Sequence, residues 1–352
     1  MNKPWQDKLR RIDPYVPGEQ SKDPDIIKLN ANENPYAPSP RVAGVLRSFS
    51  VDRLRKYPDA NSGVLRTALA KHFEVDENQI FMGNGSDDVL ALCFQAFFCS
   101  DKPILFPDLT YSFYPVWCSL FRTPYETVPL DENYRIHPED YARDNGGVVL
   151  PNPNAPTGIG EGLDFVERLL DVNPDSIVIL DEAYVDFGGV SAVPLLKKYE
   201  NLVVVQTMSK SRSLAGLRVG FALACPSLIA TLEAVKNSYN SYTMDMVTLE
   251  AAAASVEDDE YFRDTCSKII ATRARFTDAL RALDFTVLDS LSNFVLATHP
   301  KAPAKQIFDA LKARKIFVRY FNLPRVNNHL RITIGTDAEM NALLAALTEI
   351  LA

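Results

Sequence analysis

The middle of the chain alternates short, almost wholly apolar runs with amphipathic stretches, and this alternation restricts the fold more than any other feature. The apolar runs are residues 147–150, 176–180, 202–207 and 217–222. A strand that is apolar on both sides has to be covered on both sides, as in a parallel sheet between two layers of helices. Residues 163–170 carry apolar side chains at helical spacing and predict a crossover helix. The pattern therefore predicts an α/β domain with a mostly parallel sheet.

The last quarter of the chain follows a different pattern. Short strand-like runs flank one amphipathic helix, and another helix ends the chain, which predicts a smaller α+β domain. In chain order these elements are residues 285–288, 294–297, 304–314 (helix), 316–319, 330–334 and 338–351 (helix). We therefore expect three parts, namely an N-terminal arm, a large α/β domain and a small C-terminal domain. Their predicted ranges are 1–35, 36–263 and 264–352.

Charge and composition exclude several classes of function. The formal net charge is −8, which is poorly suited to neutralising a nucleic-acid backbone. The longest nearly apolar run, residues 89–99, is much shorter than the ~20 residues that span a bilayer. The polar N-terminus lacks the apolar core of a signal peptide, and the five cysteines show no metal-type spacing. We expect a cytoplasmic protein with reduced thiols that binds no nucleic acid, membrane or metal.

A glycine-containing loop, M-G-N-G-S-D-D at residues 82–88, precedes a predicted buried helix at 87–99. Glycine lets the backbone approach a ligand closely, and a helix N-terminus offers free N–H groups, so the loop suits a phosphate. Taken alone, it is explained better by a tight turn with Ser86 or Asp87 as the N-cap. It is not a dinucleotide-binding loop, because Asp88 stands where the third glycine of that motif would be.

Two further polar loops follow predicted strands. D-E-A-Y at residues 181–184 places two carboxylates at a strand end, but the chain has no G-x-x-x-x-G-K-[ST] loop that would accompany a magnesium site of this type. T-M-S-K-S-R-S-L-A-G-L-R at residues 207–218 places Lys210 directly after a strand. A lysine desolvated at a strand end can act as a nucleophile, although most single lysines lie on the surface. Ser209 and Arg218 in the same loop can both bind a phosphate, which favours the functional interpretation.

One cofactor uses all three loops together. Pyridoxal 5′-phosphate needs a lysine for its Schiff base, a carboxylate against its pyridine nitrogen, a donor to its phenolic oxygen and a phosphate-binding loop. The carboxylate keeps the ring nitrogen protonated, so that the ring accepts electrons when a carbanion forms. We therefore predict pyridoxal 5′-phosphate as the cofactor.

Over nearly its whole length the sequence resembles the class I and II aminotransferases, which are fold-type I pyridoxal-phosphate enzymes. The segment L-N-A-N-E-N-P-Y favours the histidinol-phosphate branch of that family. The resemblance implies a large cofactor-binding α/β domain, a small α+β domain, and a homodimer whose arm contributes to the dimer contact. The matching segments are K-L-N-A-N-E-N-P-Y (28–36), K-Y-P-D (56–59), G-N-G-S-D-D (83–88), D-L-T-Y-S-F-Y (108–114), P-N-P-N-A-P-T-G (151–158), D-E-A-Y (181–184), S-K-S-R-S-L-A-G-L-R-V-G (209–220), S-N-F-V (292–295) and L-R-I-T-I-G (330–335).

The resemblance also implies roles for individual residues. Lys210 would form the internal aldimine and move the proton between the substrate Cα and the cofactor. Asp181 would pair with the pyridine nitrogen, and Tyr184 would donate to the phenolic oxygen. The other residues implied to bind the cofactor are Gly85, Ser86, Asp87, Tyr111, Asn154, Ser209, Arg218 and, from the other subunit, Tyr57. Those implied to surround the substrate are Arg331, which would anchor its anionic end, Arg319, Tyr15 and Asn32.

The sequence departs from the family pattern at two places. Ala155 replaces the family asparagine that bonds the phenolic oxygen, and Asn154 precedes it. Either Asn154 takes over that bond or Tyr184 makes it alone. The second departure is smaller, because Asp88 stands where the family commonly has glutamate.

Three functions are compatible with these residues. The first is transamination of L-histidinol phosphate with 2-oxoglutarate in histidine biosynthesis, by a ping-pong reaction through Lys210. The second is a related pyridoxal-phosphate enzyme, either an aromatic amino-acid aminotransferase or a threonine-phosphate decarboxylase. The third is a pyridoxal-phosphate-binding regulatory module, which the acidic charge and the lack of a basic DNA-binding extension disfavour.

Overall fold

A seven-stranded and a four-stranded sheet organise the computed structural model, which describes residues 3, 5–15, 19, 21, 23 and 25–352. The strands are β1 (Ile27–Lys28), β2 (Ile80–Gly83), β3 (Ile104–Pro107), β4 (Tyr125–Val128), β5 (Gly147–Pro151), β6 (Val178–Asp181), β7 (Leu202–Thr207), β8 (Gly220–Ala224), β9 (Thr286–Val287), β10 (Phe294–Thr298), β11 (Ile316–Phe317), β12 (Arg319–Tyr320) and β13 (Leu330–Thr333). The α-helices are α1 (Pro40–Ser48), α2 (Gly63–Phe73), α3 (Ser86–Phe97), α4 (Tyr114–Phe121), α5 (Leu163–Asp171), α6 (Pro226–Asn237), α7 (Met246–Val256), α8 (Asp259–Ala282), α9 (Ala304–Ala313) and α10 (Asp337–Leu351).

The seven-stranded sheet has the strand order β2-β8-β7-β6-β5-β3-β4. Its strands from β7 to β4 are parallel, whereas β8 is antiparallel to both of its neighbours. Successive side chains of a strand point to opposite faces, so Leu180 and Val204 pack into one core while Ile179 and Val203 pack into another. The prediction of an α/β fold with a mostly parallel sheet covered on both faces is confirmed.

The strand predicted at residues 217–222 starts too early. The chain first makes a short 3₁₀ turn at Ala215–Leu217, and Arg218 then adopts the left-handed conformation with φ 52°. A residue in that conformation cannot continue a strand, so β8 begins only at Gly220. As a result, Arg218 lies in a loop beside the end of the sheet rather than within it.

The four-stranded sheet is antiparallel, with the order β12-β13-β10-β9. The apolar faces of α8, α9 and α10 cover it, as Ile269, Leu311 and Leu343 show by their complete burial in one cluster.

The strand predicted at residues 316–319 is in fact two strands. Of these, β11 pairs in parallel with β1, while β12 joins the four-stranded sheet. The partner β1 is distant in sequence, and no local pattern indicated that pairing.

Helix α8 runs across residues 263–264, where the boundary between the large and small domains was predicted. The division into domains stays a prediction.

Within the described ranges, no helix is long and apolar enough to cross a membrane. The same part of the chain contains no group of three or more His, Cys, Asp or Glu side chains placed to hold a metal ion.

Candidate active site

The parallel strands bring two of the predicted chemical groups to one edge of the seven-stranded sheet. Asp181 is the last residue of β6, and Lys210 follows β7 in the next turn. The two strands are adjacent, with Asp181 opposite Val205. The carboxyl ends of parallel strands share an edge, which is where open α/β sheets bind their ligands.

Asp181 is 5% exposed and is held by two hydrogen bonds. The Tyr114 hydroxyl donates to its Oδ2 at 3.1 Å, and the Ala183 N–H donates to its Oδ1 at 3.2 Å. Burial raises the pKa of Asp181 to about 6, although both hydrogen bonds and the nearby Lys210 lower it. A desolvated carboxyl of this kind is suited to a cationic ligand group, because such a group would compensate the buried charge.

The loop that carries Lys210 is fixed by the N-terminal segment. Asn34 donates through its Nδ2 to the carbonyl oxygens of Lys210 and Ser211, at 3.0 and 3.2 Å. The Lys210 ammonium lies 5.7 Å from the centre of the Tyr184 ring. The amine and the hydroxyl-bearing ring therefore belong to one site.

A second part of the site forms where α3 and β8 meet. Gly85 has φ 93°, and a Cβ added to it would lie 2.6 Å from Nη2 of Arg218. A Cβ added to Gly220 would collide with the backbone of Gly85 and Ser86. These glycines let two backbones and one guanidinium converge at the N-terminus of α3, where the free N–H groups suit an anion.

Arg218 makes only long contacts at this position. Its Nη1 lies 3.4 Å from Ser209 Oγ, and its Nη2 lies 3.4 Å from Asp87 Oδ2. Asp87 Oδ1 accepts a hydrogen bond from the Tyr111 hydroxyl at 2.7 Å. The structure therefore brings together the predicted phosphate-binding residues and the aromatic ring predicted to stack on the cofactor.

Arg331, which is predicted to anchor the substrate, lies in β13. Its guanidinium lies 5.2 Å from the ring centre of Phe294 and 5.4 Å from that of Phe321. Burial lowers the pKa of Arg331, and the nearby Arg319 lowers it further. Nη2 donates to the Asn30 carbonyl at 3.2 Å, whereas the buried Nε has no hydrogen-bond partner in the described structure. A buried guanidinium with an unused donor is suited to an anionic ligand.

The remaining residues predicted around the substrate take different positions. Arg319 lies opposite Arg331 on the neighbouring strand β12. Tyr15 stacks on Phe113 with ring centres 4.2 Å apart. Asn32 points its amide at the Tyr184 hydroxyl, so the described structure shows it supporting a site residue.

Asn154 uses its amide hydrogens in two hydrogen bonds within the protein. Nδ2 donates to the Leu109 carbonyl at 3.1 Å and to Thr157 Oγ1 at 3.0 Å. Its Oδ1 is buried without a partner in the described structure, but an oxygen cannot donate to a phenolic oxygen. Of the two alternatives for the bond to that oxygen, the geometry favours Tyr184 alone.

Tyr57 is not part of this cluster within one chain. It is 80% exposed and stacks on Tyr242 at 4.7 Å. It lines a separate cavity of about 460 Å³, together with side chains of both charges and the apolar Val64 and Met246. None of the other predicted site residues lines that cavity.

A family model described as aminotransferase class I and II matches residues 24–347. The chain belongs to this family. The prediction of an aminotransferase is thereby confirmed, and it agrees with a strand-end lysine beside a buried aspartate.

Named relatives of this aminotransferase cover almost the whole chain. It is 53% identical to the histidinol-phosphate aminotransferase of Acinetobacter baumannii (strain SDF), over 97% of this chain and 95% of that protein. It is 51% identical to histidinol-phosphate aminotransferase 1 of Pseudomonas aeruginosa, over 99% of both chains. The crystal structure of histidinol-phosphate aminotransferase from Sinorhizobium meliloti in complex with pyridoxal-5′-phosphate aligns with a TM-score of 0.82. It is 27% identical and covers 92% of this chain and 90% of that one.

Two residues of this aminotransferase site were missed in the sequence. Tyr114 was given no role of its own in the sequence analysis, yet its buried hydroxyl donates a hydrogen bond to Asp181. The hydroxyl of a buried tyrosine usually has a hydrogen-bond partner, and that rule could have identified Tyr114 as a candidate site residue. Asn34 lies in a segment that was recognised, but its contact with the Lys210 loop joins residues far apart in the sequence.

Proposed function

We propose that this chain transfers the amino group of L-histidinol phosphate to 2-oxoglutarate with pyridoxal 5′-phosphate. The observation that carries the proposal is the buried Arg331 guanidinium with an unused Nε. It lies 5.2 Å from the ring centre of Phe294, which packs against the Tyr184 ring next to Lys210. The names of the relatives with 51–53% identity support the same substrate.

The cofactor prediction is confirmed by the family match and by the relative that was solved with pyridoxal-5′-phosphate. The donor set of this chain fits that group. Asp181 is a desolvated carboxylate for a ring nitrogen, and Tyr184 is a hydroxyl donor. The close approach of Gly85 and Gly220 brings Arg218 next to the N-terminus of α3, whose free N–H groups suit a phosphate. When bound, pyridoxal phosphate supplies an electron sink for negative charge at the substrate Cα.

The residues of this chain would hold the cofactor in place and transfer the protons of the reaction. Asp181 would keep a proton on the ring nitrogen, because its buried carboxylate would be stabilised by an adjacent positive charge. Lys210 would take and return the proton at the substrate Cα, as a general acid and base. Tyr111 would stack on the ring, and its hydroxyl donates to Asp87.

The substrate's anionic end binds to Arg331. Histidinol phosphate and glutamate present a phosphate and a carboxylate, and both match the planar fork of a guanidinium. The amine of either substrate has to reach the same atom of the cofactor, so one anchor serves both half-reactions. Arg319, which lies opposite Arg331, adds positive charge at the same place.

The proposed enzyme is a homodimer in which Tyr57 reaches the phosphate of the neighbouring subunit. Support comes from a surface with exposed apolar and aromatic side chains, which soluble proteins usually cover with a partner. These residues are Leu46, Val51, Leu54, Tyr57, Val64, Tyr239 and Tyr242. An isologous two-fold contact would give two equivalent shared sites.

The domain division and the location belong to this proposal as well. The large domain (36–263) has two hydrophobic cores around the seven-stranded sheet. The small domain (264–352) supplies most of a third core, to which Phe187 of the large domain also belongs. Leu29 of the arm (1–35) packs into the small-domain core. A cytoplasmic location is supported by the five free cysteines, which suit a reducing compartment.

A substrate comparison tests the proposal. Purified protein is given histidinol phosphate, phenylalanine or threonine phosphate, each with 2-oxoglutarate, while glutamate and CO₂ are measured. We expect glutamate with histidinol phosphate at the highest kcat/KM, and no CO₂ from any substrate. Release of CO₂ from threonine phosphate would identify a decarboxylase, and a preference for phenylalanine would identify an aromatic aminotransferase. The Lys210→Ala variant is the control, because it keeps the fold but lacks the amine.

A further inference from the structure

Asn32 is a buried asparagine that joins three separate parts of the chain. It is 2% exposed and has φ 54°, a conformation that asparagine tolerates better than most residues. Its N–H donates to Thr333 Oγ1 at 3.0 Å, and its carbonyl accepts from Asn293 Nδ2 at 3.0 Å. Its side chain reaches Tyr184. The backbone of Asn32 is therefore held by β13 and by the loop before β10.

The hydrogen bonds around Asn32 determine which way its amide points. Thr333 Oγ1 already accepts the Asn32 N–H, and it lies 3.1 Å from Asn32 Oδ1. Thr333 is 2% exposed, so its hydroxyl hydrogen needs an acceptor inside the protein, and the Asn32 amide oxygen is the acceptor that the described structure offers. The other end of the amide, Nδ2, then faces the Tyr184 oxygen at 2.9 Å and donates to it.

This orientation leaves the Tyr184 hydroxyl hydrogen free for another acceptor. A reversed amide would present Oδ1 to Tyr184 and would take that hydrogen for itself. The Tyr184 ring is also held in place, because it packs edge-on against Phe294 at 5.1 Å. Asn32 thus leaves the Tyr184 hydroxyl able to donate to a ligand.

Within the described structure, neither Asn154 nor Ala155 offers a second side-chain donor beside that of Tyr184. Ala155 has no polar side-chain atom, and the amide hydrogens of Asn154 are used by Leu109 and Thr157. A ligand oxygen at this place therefore depends on the one hydroxyl hydrogen of Tyr184.

We propose that Asn32 is a positioning residue whose amide directs the Tyr184 hydroxyl hydrogen to the phenolic oxygen of the cofactor. The inference rests on the proposed function, since it needs that cofactor next to Tyr184. Asn32 does not touch the reacting atoms, and it acts through Tyr184.

The test is a pH titration of the visible absorption of the purified, cofactor-loaded protein. A donor to the phenolic oxygen stabilises its negative charge, so loss of the donor raises the pH midpoint of the titration. We expect Tyr184→Phe to raise the midpoint, and Asn32→Ala to raise it by a smaller amount, about half a pH unit. Thr333→Val, which frees the amide to reverse, should act in the same direction. Asn32→Asp should shift the midpoint at least as far as Tyr184→Phe, because a carboxylate takes the hydroxyl hydrogen.

A double variant separates an effect through Tyr184 from a general disturbance. Asn32→Ala in the Tyr184→Phe background should cause no further shift, because the two residues act on one hydrogen bond. The other charged and titratable groups of the site, Lys210, Asp181, Arg331 and Tyr111, are unchanged in these variants. An additive shift in the double variant would overturn the proposal.

Controls keep the outcome decisive. Asn30→Ala removes an amide from the same segment, where it bonds the Glu19 carbonyl, and should leave the midpoint unchanged. If Asn32→Ala does not fold, the pH midpoint of Thr333→Val tests the proposal in its place. A wild-type midpoint in Asn32→Ala and Thr333→Val, with a raised one in Tyr184→Phe, would refute the role of Asn32 alone. An unchanged midpoint in Tyr184→Phe would instead refute the proposed role of Tyr184, and the inference with it.

Discussion

Two charged side chains, Asp181 and Arg331, are withdrawn from water at the candidate site without an ion pair to another described side chain. A buried charge of this kind costs several kcal/mol unless a partner compensates it. The chain therefore carries unfavourable electrostatics that a bound cofactor and an anionic substrate would relieve. Both residues can be tested separately, because one would meet the cofactor and the other the substrate.

Removing the charge of Asp181 should stabilise the cofactor-free protein at neutral pH. Burial raises the pKa of Asp181 to about 6 from an ordinary value of 3.8. The folded state thus favours the protonated carboxyl, and the stability that this group contributes is present below pH 3.8 and lost as the pH rises through 6. Asp181→Asn should therefore be more stable than the wild type by about 3 kcal/mol above pH 6.5. Its binding of pyridoxal phosphate should be weaker.

Urea unfolding of both cofactor-free proteins at several pH values measures this difference. At pH 4 the gap between them should nearly close, which serves as the internal control. A gap that is independent of pH would show that the carboxyl is not the cause.

Truncating Arg331 should impair both half-reactions. Arg331→Ala should lower kcat/KM for histidinol phosphate and for glutamate by about 30- to 5,000-fold, which corresponds to ~2–5 kcal/mol. Arg331→Lys should recover only part of this loss, because an ammonium keeps the charge but not the fork. Stopped-flow measurement of each half-reaction gives the two values.

Cofactor affinity in Arg331→Ala should remain near that of the wild type. Arg314→Ala, an exposed arginine near the end of α9, is the matched control and should change neither half-reaction. Loss towards glutamate alone would show that the phosphate binds elsewhere, and Arg319 would then be the next residue to change.

At the level of elements, the site depends on loops that follow the strands and on one helix start. The turn after β7 carries Lys210, and the N-terminal segment ties it down through Asn34. The N-terminus of α3 approaches the start of β8 so closely that Gly220 has no room for a side chain. The position of that helix start, and with it the proposed phosphate site, is therefore set by contact between two backbones.

Adding one methyl group at Gly220 should disturb this contact. Gly220→Ala places a Cβ against the backbone of Gly85 and Ser86, so one element has to move. We expect a loss of about 1–3 kcal/mol of stability and weaker cofactor binding. Gly216→Ala lies in the preceding loop with no atom within 4 Å of the new Cβ, and it should change stability by less than ~0.5 kcal/mol. Thermal unfolding and cofactor titration of both variants check this, and equal behaviour of the two would contradict the argument.

At the scale of the whole molecule, Arg325 is one of the side chains that connect the two sheets through their loops. Arg325, in the loop between β12 and β13, reaches Asp108 at 3.2 Å and the Leu130 carbonyl at 3.0 Å. Tyr134 donates to the Arg325 carbonyl at 3.0 Å. Asp108 begins the segment that holds Tyr111, so this contact links the cofactor side of the site to the loop beside Arg319 and Arg331.

The dimer is tested through Tyr57. Tyr57→Phe keeps the ring that stacks on Tyr242 but removes the hydroxyl, so the dimer should persist while the Kd for pyridoxal phosphate rises several-fold. Light scattering and cofactor titration measure the two effects. Tyr125→Phe is the control, because Tyr125 is also exposed and stacked on an aromatic ring. A fully active monomer would contradict the shared site.

Local sequence patterns were sufficient to predict most of the helices and strands. The strand at Leu202–Thr207 was predicted with its correct ends, and the helix predicted at 163–170 lies within α5. Both depend on periodicity among neighbouring residues, which a sequence displays directly. The three loops that pointed to pyridoxal phosphate were found for a similar reason, since each follows a strand or precedes a helix.

The sequence alone was sufficient for the α/β fold, the family and the cofactor, because motif residues lie close together in the chain. The left-handed Arg218, the pairing of β1 with β11 and the hydrogen bond from Asn32 to Tyr184 came only from the folded structure. Each depends on how distant segments pack, and in the last case 152 positions separate the two residues. The spacing of neighbouring residues contains no information about such contacts, whose geometry is set when the sheets and the N-terminal segment come together.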